Sequence, residues 1–190
     1  MWEWLTRLDF SVLYAIQDAL RCGFFDFLMP KITWLGNGGL IWILAAAVLL
    51  CIRKRRRYGV LLLIGLALGL LIGNIILKNA AARPRPCWLD PTVQLLIRAP
   101  RDYSFPSGHT MASVIGATVL TGADRRFAPV AIPLAALIAF SRLYLFVHFP
   151  SDVLAAVLIG LAIGGLVLFA HRLWLRRRRP AVFYTDIRAE

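Results

Sequence analysis

Cysteine is scarce in this 190-residue chain. Cys22, Cys51 and Cys87 are odd in number and show no CxxC spacing, which excludes a disulfide framework and a cysteine metal site. Acidic residues are also few: ten Asp and Glu stand against 22 Lys and Arg, a formal charge of +12. No segment repeats, and low complexity is confined to short arginine runs. The N-terminus lacks the basic head, short apolar run and small-residue cleavage site of a removed leader, so the first helices are expected to stay in the mature protein.

Apolar residues are abundant. Hydrophobic side chains make up 59% of the chain and mean hydropathy is +0.70, above the roughly 45–50% apolar content of soluble domains. The chain reads as a single integral-membrane domain over 1–190. In a soluble protein the positive charge would suggest nucleic acid; here its placement argues against that partner. Arg53 to Arg57, and Arg172 with Arg176 to Arg179, abut apolar spans and read as cytoplasmic anchors. A second set, Lys78, Arg83, Arg85, Arg98, Arg101 and Arg142, lies at the opposite span ends, where topology disfavours it and another reason is required.

Residues 1–22 place Leu5, Leu8, Val12, Ile16 and Leu20 on one face, an amphipathic helix at the membrane interface. Apolar stretches follow at 24–35, 40–52, 58–77, 107–120, 127–147 and 151–170, the first broken by Pro30 and Lys31. The expected fold is an all-α polytopic membrane bundle of about six transmembrane helices. Both termini fall in the cytoplasm on this count, 172–190 forms a cytoplasmic tail, and 78–106, with five prolines, forms a functional extracytoplasmic loop. The plasma membrane is the expected location, and no oligomeric state is specified.

Three clusters then share the outer face: Lys78 to Pro86, Pro106 to His109, and Ser141 to Asp152. Ser107 and Ser151 sit where a hydroxyl caps a helix start. Gly108 permits close backbone approach, so the amides of 107–109 suit an anion. Lys78, Arg85 and Arg142 add full charge around the same point, with arginine forks matched to phosphate oxygens. His148 and Asp152 are four apart, so the carboxylate can fix the imidazole tautomer and leave the other ring nitrogen free to attack phosphorus. His109 is left to protonate a departing oxygen. No further His or carboxylate is placed to hold a metal, so phosphoryl transfer without a metal or other cofactor is expected.

The pattern Lys78-x6-Arg85-Pro86, Pro106-Ser107-Gly108-His109 and Ser141-Arg142-x5-His148-x3-Asp152 resembles, at every defined position, the signature of the type 2 phosphatidic acid phosphatase superfamily of integral-membrane lipid phosphatases. The likeness is close over 58–171 and extends to the N-terminal third only in hydropathy. It implies that Lys78, Arg85, Ser107, Gly108 and Arg142 bind phosphate, His148 forms a phosphohistidine, His109 protonates the leaving group and Asp152 orients His148. Among family members the chain is similar to small bacterial undecaprenyl-diphosphate phosphatases, which regenerate the carrier lipid of cell-wall synthesis. A phosphatidylglycerophosphate or phosphatidate phosphatase, and a lipid phosphotransferase, are the alternatives. The implied partner is a lipid phosphate in the bilayer.

Other polar residues take plainer readings. Arg83, one step out of the family spacing, joins Arg98 and Arg101 as a solvated or headgroup-contacting rim. Asp90 and Asp102 are expected to pair with nearby arginines. Trp34, Trp42, Trp88 and Trp174 suit interfacial belts.

Overall fold

The computed structural model describes residues 3–177, and the expectation for the tail beyond 177 lies outside the described residues. Those residues form helices and connections with no strand. In chain order the helices are α1 (Glu3–Leu20), α2 (Gly23–Leu35), α3 (Leu40–Cys51), α4 (Arg56–Gly69), α5 (Lys78–Ala81), α6 (Pro86–Leu89), α7 (Gly108–Ala123), α8 (Ala128–Tyr144) and α9 (Pro150–Arg177). Between α4 and α5 the chain runs unbroken through a π-helical stretch, Leu70–Leu77, a wider winding often found at functional sites.

Three helical runs are long and apolar enough to cross a membrane, at Arg56–Leu89, Arg125–Tyr144 and Pro150–Arg177. Gly23–Leu35 and Asn37–Cys51 qualify together, bent by 46°. Cys22 lies by Tyr144 at one end of the bundle, and Arg55, just past α3, pairs with Asp124 at the other. The stretches expected as two spans, 24–35 and 40–52, therefore share one broken path. The result is an all-α polytopic membrane bundle, with α1 lying along one end.

The core helix is α7, only 16 residues long and packed against α3, α4, α8 and α9. Glycines let the backbones approach, as small residues do between membrane helices. A Cβ on Gly65 or Gly69 would meet Ile115 within 2.8 Å, and one on Gly160 would meet Val114 at 2.9 Å. Trp42, expected in an interfacial belt, is instead 1% exposed. Its indole N–H donates to Ser113 Oγ, which satisfies the one polar atom that burial would otherwise strand.

Helix α1 buries Asp9 and Leu13 against the bundle and leaves Trp4, Leu8 and Val12 exposed. Asp9, Gln17 and Arg21 bond to Ser151, Tyr144 and Gln94, all at the end where α9 begins. Arg177 closes α9 at the far end. Helix α1 thus docks at the end of the bundle opposite to the one where α9 finishes.

Candidate active site

The segment from Lys78 to Pro106 is mostly irregular, with the one-turn helices α5 and α6 at its start. It folds back over the ends of α7 and α8. A cavity of about 840 Å³ lies beneath it, lined by Lys78, Arg85, Gly108, His109, Arg142 and His148, six of the eight expected site residues. Ser107 and Asp152 are fully buried behind its wall.

Each side chain is placed by local structure. Lys78 follows the π-helical stretch, and Arg142 sits in the last turn of α8. The turn after α8 passes through Phe146, held at φ +57°, and returns His148 to the cavity. Ser107 caps α7 as expected, accepting from Thr110 N–H and Thr110 O–H. The amides of Gly108 and His109 have no partner among the described residues. Ser107 N–H does have one, the carbonyl of Asp152 at 3.4 Å, so it is not free for an anion as the sequence suggested. Ser151, by contrast, does not cap α9: it lies inside the helix, and its N–H donates to Asp9 Oδ1 at 3.0 Å.

The cations are deeply set. Arg142 is 3% exposed; its Nη1 donates to Thr33 Oγ1 at 2.5 Å, and its Nε has no partner among the described residues. A buried guanidinium N–H without an acceptor is costly, and an anion in the cavity would supply one. Arg85 Nη1 donates to the Val147 carbonyl at 2.6 Å and lies 3.1 Å from His148 Nε2. Asp102, expected only to pair with arginines, bridges Arg85 and Lys78. Its burial opposes ionisation, but the bond from Lys78 and the fields of Arg85 and Lys78 outweigh that and hold its carboxyl at about 2. Asp90 differs from expectation, accepting from Tyr14 and Thr92.

On the other side of the ring, His148 Nδ1 faces Asp152 Oδ2 at 3.6 Å. Ser104 stands beside both, donating to Asp152 Oδ2 at 2.5 Å with its Oγ 3.5 Å from His148 Nδ1. Burial pushes the His148 imidazolium well below its ordinary range, and Arg85, Arg142 and Lys78 push it further in the same direction. The ring is therefore neutral, with Nε2 facing the cations. His109 Nε2 lies 2.9 Å from Asn37 Oδ1. An amide oxygen only accepts, so His109 carries its proton on Nε2 in this arrangement.

Several residues of the site lay outside the sequence motifs. Thr33, Asn37 and Asp9 come from the N-terminal third, and Ser104 precedes the PSGH cluster by two residues. Arg83, read as rim, is only 13% exposed and pairs with both Asp9 and Asp152. Arg98 and Arg101 line the cavity.

Residues 58–176 match the PAP2 superfamily. The chain belongs to that superfamily. It is 36% identical over 122 residues to an undecaprenyl-diphosphatase of Sulfolobus acidocaldarius, a match covering 63% of this chain and 58% of that protein. Among solved structures it is similar to Aquifex aeolicus LpxE, with a TM-score of 0.74 and 31% identity over 85% of this chain and 95% of that one. It is equally similar to a transmembrane PAP2 type phosphatidylglycerolphosphate phosphatase from Bacillus subtilis, with a TM-score of 0.74 and 27% identity over 93% of this chain and 90% of that one.

Proposed function

We propose that the protein is a lipid phosphatase that hydrolyses a lipid phosphate or diphosphate monoester, with undecaprenyl diphosphate as the foremost candidate. The observation that carries this reading is the convergence of Lys78, Arg85 and the unpartnered Nε of buried Arg142 on the cavity that also holds His148 and His109. Three cations beside a neutral imidazole suit a group that is itself negative and electrophilic. Apart from Asp102, this wall presents cations rather than the carboxylates a divalent metal would favour, and the proposed reaction uses none.

In the proposed reaction the terminal phosphoryl group sits among Lys78, Arg85, Arg142 and the amides of Gly108 and His109. His148 Nε2 attacks phosphorus, Asp152 supports the Nδ1 side, and the P–O bond to the lipid breaks. His109, entering as the imidazolium with Nε2–H on Asn37, gives the proton of its other ring nitrogen to the departing oxygen and is left neutral. Water then attacks the phosphohistidine, His109 takes back a proton, and inorganic phosphate leaves. The cations stabilise charge on the phosphoryl oxygens throughout, which is the main task in phosphoryl transfer.

Lipid substrates are favoured by the rest of the cavity. From the cations it extends past Pro30, Trp34, Ile43, Leu63, Leu66 and Leu70, so a headgroup can reach His148 while its chain stays among apolar side chains. The similarity to an undecaprenyl-diphosphatase favours a polyprenyl diphosphate; the B. subtilis neighbour keeps phosphatidylglycerophosphate as the second reading. The basic residues Arg53 to Arg57 and Arg172 to Arg177 lie at the end away from the site, which supports the reading that the site and α1 face outside the cytoplasm and residue 177 inside.

The test is phosphate release by the purified protein from undecaprenyl diphosphate, phosphatidylglycerophosphate and phosphatidate in parallel. Release that ceases in His148→Ala supports the reading; undiminished release by that variant rejects it.

A further inference from the structure

The carboxylate behind His148 is reached from outside the matched family region. Asp9, on the buried face of α1, is 3% exposed. Its Oδ1 accepts from Ser151 N–H at 3.0 Å, and its Oδ2 accepts from Ser151 Oγ at 2.5 Å and from Arg83 Nη2 at 2.7 Å. Arg83 Nη1 in turn donates to Asp152 Oδ1 at 2.5 Å and to Ser151 Oγ at 2.7 Å. The guanidinium lies 4.1 Å over the Phe149 ring, and Phe149 meets Phe10 of α1 edge-on. One arginine fork is thus clamped between two buried carboxylates, one on α1 and one beside the reacting imidazole.

This arrangement bears on how Asp152 works. At 3.6 Å its Oδ2 is beyond a direct hydrogen bond to His148 Nδ1, so its aim depends on what holds the carboxylate. Oδ2 is held by Ser104 Oγ and Phe149 N–H; among the described residues Oδ1 is held by Arg83 alone. Arg83 in turn is fixed by Asp9 and by its stacking on Phe149. Without Arg83, two carboxylates would face each other across Ser151. A lysine would keep the charge but lacks the fork that serves both.

We propose that Asp9 and Arg83 are positioning residues for the His148–Asp152 pair, which makes α1 a working part of the active site. The proposal rests on the reading of His148 as the attacking group. It also ties turnover to the docking of an interfacial helix whose exposed Trp4, Leu8 and Val12 face away from the bundle.

The experiment is a double-mutant cycle on the full-length protein in membranes, with phosphate release as the readout. Asp9→Asn is expected to lower kcat about tenfold to hundredfold, as loss of a group that orients a reacting side chain does, while KM and inhibition by vanadate stay within about twofold. In an Asp152→Asn background, Asp9→Asn should cost nothing further, because its effect passes through the carboxylate already removed. Wild-type kcat in Asp9→Asn, or an equal loss in both backgrounds, overturns the proposal. If Asp9→Asn does not accumulate, Arg83→Lys replaces it with the same outcomes. His148→Ala in parallel separates the two claims: full turnover there removes the attacking histidine, whereas an inert His148→Ala beside an unaffected Asp9→Asn removes only the positioning role.

Discussion

Arg85 Nη1 and His148 Nε2 are 3.1 Å apart, a guanidinium set against the ring nitrogen assigned to attack. The same arginine donates to Asp102 through Nε and Nη2 and to the Val147 carbonyl through Nη1. In the proposed reaction it clamps the phosphate and fixes the height of the imidazole. Arg85→Lys keeps the charge but loses the fork, and should reduce kcat/KM at least about 10²-fold, the scale for a group aimed at developing charge. Near-wild-type kcat/KM in Arg85→Lys would remove Arg85 from the reacting centre.

The depressed imidazolium of His148 makes a pH prediction with a definite sign. Burial comes first and the three cations next, and all disfavour the protonated ring. Because only the neutral ring can attack, kcat/KM, which reports the free enzyme, should not lose its nucleophile as pH falls through the ordinary imidazole value of about 6.5. In a pH series read with a substrate whose leaving group needs no proton, the acid limb is expected well below that value. A limb at the ordinary value would contradict the buried, cation-flanked setting.

Asn37 holds the second imidazole from a turn outside the three motifs, with Gly38 and Gly39 at positive φ beside it. Asn37→Ala should slow hydrolysis of a lipid substrate about tenfold, within the range for general acid catalysis. An aryl phosphate, whose leaving group departs unprotonated, should be nearly unaffected. Equal losses on both substrates would show that Asn37 does not act through His109.

Asp102 is 56% exposed through its side chain, yet its carboxylate lies on two buried cations, Lys78 and Arg85. In the proposed reaction it competes with phosphate for them, and, held at about 2, it stays ionised at any working pH. Asp102→Asn should strengthen inhibition by inorganic phosphate and vanadate several-fold and lower KM. Weaker inhibition by both anions would mean that Asp102 organises the cations rather than opposing their ligand.

Much of the fold and the cavity was legible because membrane helices announce themselves by length and apolarity, and because charges beside hydrocarbon need a reason. Lys78, Arg85, Gly108, His109, Arg142 and His148 line one cavity, as their placement at span ends suggested. What could not be read was long-range. Asp9 meets Arg83 across 74 positions and Asn37 meets His109 across 72, with no local pattern to mark either pair. Asp9 had one faint signal, an acid among apolar residues of an interfacial helix. Arg83 was misread because the motif spacing chose Arg85, although an arginine at that depth carried the same burden of explanation. Trp42 was misread because aromatic belts describe interfaces on average, while its own partner, Ser113, lies 71 residues away.

The covalent step is the centre of the account. Purified protein mixed with a substrate labelled in its terminal phosphate and quenched in alkali during turnover should carry label on the peptide containing His148, with none in His148→Ala. Steady phosphate release with no label recoverable from His148 would contradict it.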